Sequence, residues 1–205
     1  MDREEATRAL ELLRRVVDQA KDDSALQNWG AIWMVHAFTN AAGFLATDEM
    51  LRRGQFSPWP YVALWTVVNA ANLSTIVFFK AKVPAGTRSF VERQVWLIWT
   101  TYVGAVTVVA VSNLILGLDR LFAGPAMAVL AAFAFSMMGA MGRRWFVAAG
   151  VFAVAALAAS LVPRWQFTIF GVLFAAFQFA GGALLHGERR RRLSVSGAAG
   201  PPRLV

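Results

Sequence analysis

The sequence lacks cysteine altogether and contains only two histidines, His36 and His186. Without cysteine there is no disulfide, no catalytic thiolate, no iron–sulfur cluster and no cysteine-ligated zinc. Two histidines are too few for a conventional multi-haem protein, and the sequence contains no glycine-rich phosphate loop. These absences exclude most redox and nucleotide chemistry, and we expect neither a metal nor any other cofactor.

Acidic residues are also missing where membrane chemistry would need them. No Asp or Glu lies inside the long apolar segments of the chain, and Glu92 and Asp119 stand at segment ends. A proton- or cation-coupled transporter usually depends on an intramembrane carboxylate, and a serine hydrolase needs a buried acid to orient its histidine. We therefore expect no enzymatic activity and no ion-driven transport.

Apolar residues make up 58% of the 205-residue chain, above the ~45–50% typical of soluble domains. They form six blocks, each long enough to cross ~30 Å of hydrocarbon at ~1.5 Å per residue. This pattern predicts an all-α, polytopic integral membrane protein with six transmembrane helices in one bundle. The expected spans are 28–47, 60–79, 95–117, 121–141, 145–162 and 165–186, within a transmembrane domain of residues 27–187. Tryptophans near span starts predict interfacial belts: Trp29, Trp59, Trp96, Trp145 and Trp165.

Basic residues set the expected orientation. Of the 20 Lys and Arg residues, 16 lie on one side of the six spans and 4 on the other. Positive charge favours the cytoplasmic side, so both termini are expected in the cytoplasm. Arginine outnumbers lysine 17 to 3 and alanine is abundant, which favours a GC-rich bacterial genome, so the expected location of the spans is the bacterial inner membrane. The net charge of +8 does not predict nucleic-acid binding, because it flanks apolar segments and forms no face of a soluble domain.

Both ends of the chain are polar. Residues 1–26 carry a narrow apolar stripe, with Leu10 and Leu13 upon it, which predicts an amphipathic cytoplasmic or interfacial helix. Residues 188–205 begin with a basic run and continue into Gly, Pro and Ser, which is typical of a disordered cytoplasmic tail. The basic run is suited to anionic lipid headgroups. Its members are Arg189, Arg190, Arg191 and Arg192.

Five polar side chains lie near the midplane of the expected spans: His36, Asn40, Asn69, Asn72 and Gln178. An amide left unpaired in hydrocarbon costs about 1–3 kcal/mol, so these side chains are expected to point into the bundle. His36 and Asn40 should face Asn69 or Asn72 of the second span. Gln178 shares its helical face with Gly171 and Gly182, which predicts that another helix approaches closely there.

Two interpretations of these polar residues are open. They form hydrogen-bonded links between helices, each worth well under ~2 kcal/mol. Alternatively, they line a small cavity that binds a neutral or cationic ligand. The aromatic walls of that cavity would be Trp33, Trp65, Trp99 and Tyr102.

Taken together, these patterns favour a small non-enzymatic membrane protein that serves as an accessory, sensory or transport-related component. It would bind a small-molecule ligand or a partner membrane protein. The alternative is an oligomeric channel or uniporter-like facilitator, and a membrane-embedded enzyme comes third. Besides the lipid bilayer, the expected partners are another membrane protein or further copies of this chain.

The predicted topology can be tested with reporter fusions. A fluorescent protein fused after Leu193 should fold, because that site is expected in the cytoplasm, whereas alkaline phosphatase there should be inactive. A fusion within residues 52–58 should behave in the opposite way. Active phosphatase after Leu193 would contradict an even number of spans with a cytoplasmic N-terminus.

Overall fold

The regular structure is helical throughout the part of the chain that the computed structural model describes, which is residues 5, 7–12, 28–80, 90–116 and 123–198. Six long helices follow one another in these ranges, which confirms the all-α class. They are α1 (Trp29–Arg52), α2 (Trp59–Lys80), α3 (Phe90–Leu116), α4 (Ala123–Gly139), α5 (Arg144–Leu161) and α6 (Gln166–Ala198). A 3₁₀ turn at Pro163–Trp165 joins the last two.

Four segments are long and apolar enough to cross a membrane, which makes the chain compatible with a membrane protein. They are Trp59–Phe79, Arg93–Asn113, Arg144–Leu161 and Pro163–Glu188. Helix α4 is apolar but only 17 residues long. Helix α1 has 24 residues, and the polar side chains at its centre lower its hydropathy below that of the four.

The closest helix pair is α1 with α6, which run antiparallel. A Cβ atom placed on Gly30 would lie 2.5 Å from the carbonyl oxygen of Gly182, and one on Gly171 would collide with the Phe44 side chain. The backbones can approach this closely because glycine has no side chain at these positions. The prediction that Gly171 and Gly182 receive another helix is confirmed. Helices α4 and α5 form the second extensive pair.

Aromatic rings fill the centre of the bundle. Phe135, Phe152 and Phe170 are fully buried, and the Phe135 and Phe152 rings stack with centroids 5.2 Å apart. Two of the tryptophans expected in interfacial belts, Trp29 and Trp145, are also buried. Their indole rings gain edge-to-face contacts and burial in the bundle that the lipid surface would not supply. Trp59 and Trp165 lie on the outside, at 74% and 41% exposed, and their place at a membrane interface stays a prediction.

The two polar ends differ in what the structure describes. Residues 7–12 are helical with exposed side chains, and most of the predicted 1–26 helix lies outside the described residues. At the other end α6 continues to Ala198, where the sequence indicated a disordered tail from residue 188. Arginine favours helix, and Glu188 accepts a hydrogen bond of 2.8 Å from Arg144 of α5, which ties the extension to the bundle. Residues 199–205 lie outside the described part of the chain.

The close approach of α1 and α6 predicts that the stability of the protein depends strongly on the glycines at their contact. Gly182→Ala should destabilise the protein by about 1–3 kcal/mol, because the added methyl group has no room beside the Gly30 carbonyl oxygen. Gly104→Ala is the matched control, since a Cβ atom there meets nothing within 4 Å. That change should be neutral or stabilising by up to ~1 kcal/mol. Unfolding in detergent micelles measures both, and equal loss in the two variants would contradict the packing.

Candidate functional site

Helix α1 presents the polar side chains at its centre to two neighbouring helices at once. Thr39 and Asn40 lie three and four residues after His36, so they flank it on one side of the helix. This face meets Asn72 of α2 and Gln178 of α6. We call these five residues the polar cluster.

The side chains of the polar cluster form a continuous chain of hydrogen bonds. The Thr39 hydroxyl donates to Asn72 Oδ1 in a short contact. Asn72 Nδ2 donates to Asn40 Oδ1 at 2.9 Å, and Asn40 Nδ2 donates to Gln178 Oε1 at 3.0 Å. Each amide therefore pairs with another member of the cluster. Three helices are linked by groups that would otherwise be left without water or partner in an apolar interior.

His36 adds a contact to the backbone of α2. Its Nε2 atom lies 3.0 Å from the carbonyl oxygen of Asn72. Because a carbonyl can only accept, Nε2 carries the proton and donates it. The imidazole thus holds α1 against α2 at the level where the amides meet. This contact explains a histidine and an asparagine one turn apart in an apolar segment as helix-linking residues.

Asn69 is the one predicted member that the structure does not bring to the cluster. Its side chain is exposed on the outer surface of α2. Helix α2 touches the bundle over a narrow face that includes Trp65, Val68 and Asn72. Asn69 is about 60° around the helix from Asn72, which is enough to turn it outwards. The expectation that every midplane amide points inwards was wrong for this residue.

The four aromatic residues expected to wall a ligand cavity pack against other rings. The Trp33 ring lies 5.5 Å from those of both Trp99 and Trp145, and Trp99 lies 5.5 Å from Tyr102. Tyr102 in turn stacks on Phe174 at 5.9 Å.

Trp65 lies apart from this group, near the opposite end of α1. Its ring contacts Phe44 at 4.7 Å, and its indole N–H donates to the Thr47 hydroxyl at 3.2 Å. The four rings therefore do not enclose the amides together, and their contact with a ligand stays a prediction.

Two buried polar residues outside the predicted set cap helices at the end of the bundle where α1 finishes and α4 and α6 begin. Asp48 is 1% exposed, and its Oδ2 accepts a 2.7 Å hydrogen bond from the backbone N–H of Thr168, in the first turn of α6. Gln166 is equally buried, and its Oε1 accepts from the N–H of Gly124 at 2.9 Å, at the start of α4. The first N–H groups of a helix have no partner within it, and a carboxylate there also complements the helix dipole.

The expected end of the first span at residue 47 placed Asp48 just outside the membrane, whereas α1 runs on to Arg52. The signal that could have identified it is a single acidic residue at the end of an apolar segment. Gln166 could have been identified by its position, since it is a polar residue that follows the turn at Pro163 and begins α6.

The charged groups at the bundle ends form exposed contacts. Arg52 lies over the Trp165 ring at 4.6 Å and forms an ion pair of 2.7 Å with Glu49. Of the arginines suited to lipid headgroups, Arg190 and Arg191 are exposed on the extension of α6. Among the described residues, no three His, Asp or Glu side chains come together in a group that could hold a metal ion.

Comparison of the chain with models of protein families, with curated proteins and with solved structures finds no match. Three features of the molecule bear on its function, namely the apolar helices, the hydrogen-bond chain of the polar cluster and the polar residues on the outer surface.

The polar cluster predicts non-additive effects of mutation. Asn40→Leu should destabilise the protein by about 1–3 kcal/mol, because the half-buried amide of Asn72 and the buried amide of Gln178 each lose their hydrogen bond to Asn40. The triple variant Asn40→Leu/Asn72→Leu/Gln178→Met removes all three amides and should recover much of that loss. Denaturant unfolding in micelles measures the difference. A triple variant less stable than the single one would contradict the assignment of the cluster as a link between helices.

Proposed function

We propose that the chain crosses the bacterial inner membrane six times, with both termini in the cytoplasm. Four helices support this directly by length and composition. Helix α1 has 24 residues and extends about 36 Å at ~1.5 Å per residue, which exceeds the ~30 Å of the hydrocarbon core. Its central polar side chains bond to α2 and α6, so they meet helices and not lipid. Lower hydropathy is therefore no obstacle to its crossing.

Helix α4 is the shortest of the six, and its contacts favour a full crossing. Its first turn bonds to Gln166 at the start of α6. A Cβ atom on its last residue, Gly139, would collide with Phe146 at the start of α5. Between these points Phe135 stacks on Phe152 of α5. Helix α4 thus runs alongside α5 from one end of the bundle to the other, which supports the same depth for both.

Within this topology we propose an accessory membrane protein that binds another membrane protein and carries no solute. The observation behind the proposal is the polar cluster, in which the amide oxygens of Asn40, Asn72 and Gln178 each accept a hydrogen bond from another member of the cluster. A polar pathway across the bundle would need groups free to exchange partners with a passing solute. The aromatic rings beside the cluster pack against each other, which also argues against an open path.

The outer surface of α3 offers a place for such a partner. Gly104 has nothing within 4 Å of an added Cβ atom, and Thr100 and Thr107 on either side of it are exposed. Both hydroxyls donate to carbonyl oxygens of their own helix, at 2.7 and 2.8 Å. A face of small residues with satisfied hydroxyls lets another transmembrane helix approach closely.

Binding of a small ligand is the second candidate function. The observation that favours it is the indole Nε1 of Trp99, which is buried and has no hydrogen-bond partner among the described residues. A ligand with an acceptor group would satisfy this donor, which otherwise costs about 1–3 kcal/mol. Tyr102, one turn further along α3, lies against the same ring.

Co-purification tests the proposed function. The full-length protein, cross-linked in its native membranes, should retain a second membrane protein in fixed proportion. Gly104→Leu should reduce the retained partner at least several-fold, because a large side chain blocks close approach to α3. Gly150→Leu is the matched control, since that glycine also faces open space but lies on α5. Uptake of labelled small solutes into proteoliposomes, above that of protein-free vesicles, would contradict the proposal and favour a facilitator.

A further inference from the structure

Asn69 is a polar amide on the exposed, mostly apolar surface of α2. The other three midplane amides, Asn40, Asn72 and Gln178, are hydrogen-bonded to one another inside the bundle. Asn69 is exposed, and its side chain has no hydrogen-bond partner among the described residues. It stands at the middle of the Trp59–Phe79 segment, about 15 Å from either end at ~1.5 Å per residue. If α2 crosses a membrane, this side chain lies at the centre of the hydrocarbon.

Hydrocarbon offers nothing to which an amide can bond. The Asn69 side chain has two N–H donors and one acceptor oxygen, and at the midplane neither water nor headgroups are within reach. Helix α2 is also the least buried of the four apolar segments, with 6% of its window inside the bundle. Its outer surface is therefore available for packing against another helix, and burial against such a helix would satisfy the amide.

The residues around Asn69 have the spacing of a helix-packing face. Val62, Thr66, Asn69, Leu73 and Ile76 alternate at intervals of four and three residues, which is the repeat of a left-handed coiled coil. Val62 is 47% exposed and Leu73 is 61% exposed. The Thr66 hydroxyl donates to the Val62 carbonyl at 2.7 Å, so it needs no acceptor from a second helix. A single polar residue within an apolar face of this kind fixes the register of helix pairing.

We propose that this face binds the same face of a second copy of the chain, in a parallel dimer with Asn69 opposite Asn69. Two copies inserted with one topology have their α2 helices parallel and their Asn69 side chains at the same depth. A twofold axis along the membrane normal then brings each residue of the face against itself. An amide is complementary to another amide, because each donates an N–H and accepts at its oxygen. The proposal shares with the proposed function only the crossing of α2.

Cysteine cross-linking tests the proposal cleanly because the natural chain has no cysteine. Thr66→Cys and Leu73→Cys, placed one at a time, should give a disulfide-linked product of twice the chain mass on oxidation in native membranes. Val67→Cys and Ser74→Cys are the controls, since both positions are exposed but lie about 140–160° around the helix from Asn69. These two should give little product.

Replacement of Asn69 then tests its role within the face. Asn69→Leu should raise the dissociation constant of the dimer about three- to thirty-fold, the range expected for one amide contact in a membrane. Ser74→Leu should leave it unchanged, and Asn69→Gln should preserve most of the association. Energy transfer between labelled copies in vesicles measures all three.

Three outcomes would overturn the proposal. The first is equal cross-linking on the two sides of α2, or none at all. The second is a Leu73→Cys product of any mass other than twice the chain, which would mean that a different protein covers this face. The third is an unchanged dissociation constant in Asn69→Leu. Loss of the partner in Gly104→Leu concerns α3 and is scored separately, so failure of one proposal does not decide the other.

Discussion

The antiparallel contact between α1 and α6 is the constraint on which the rest of the structure depends. Gly30 and Gly182 let the two backbones meet, and this approach places Asn40 within hydrogen-bonding distance of Gln178. Neither feature suffices alone. Close packing of apolar helices alone would leave the rotation of α1 about its own axis undetermined. The hydrogen bond between the two amides is compatible with one such rotation. That rotation in turn aims His36 and Thr39 at α2 and sets where the second helix docks.

The hydrogen-bonded polar groups between the helices stabilise the fold. The cluster links α1, α2 and α6, and the buried Asp48 and Gln166 cap the starts of α6 and α4. Hydrogen bonds between such groups in a protein interior are costly to disturb. The proposed binding surfaces lie on the outside of α2 and α3, where Asn69 and Gly104 are exposed.

The two asparagines of α2 illustrate how a small geometric difference separates structure from interaction. Asn69 and Asn72 are alike in chemistry and nearly alike in depth, yet one bonds to Asn40 and the other is exposed. About 60° around the helix separates them. In water the outer amide would bond to solvent and would not indicate a binding surface. In a membrane the same exposed amide marks a surface that needs a partner, because lipid cannot satisfy it.

The sequence by itself determined the helical class, the apolar segments and the face of α6 with Gly171 and Gly182 that another helix approaches, because these follow from composition and from the helical repeat. It also predicted that His36 and Asn40 would face Asn69 or Asn72 and that Gln178 would point into the bundle, since amides are rarely left unpaired in an apolar interior. Only the tertiary structure decided that Asn69 faces outwards, that Trp29 and Trp145 are buried, and that Asp48 caps α6. Periodicity defines a face on each helix, but the width of the face that is covered depends on how closely the neighbouring helices pack. That distance is set by side chains far away in the sequence.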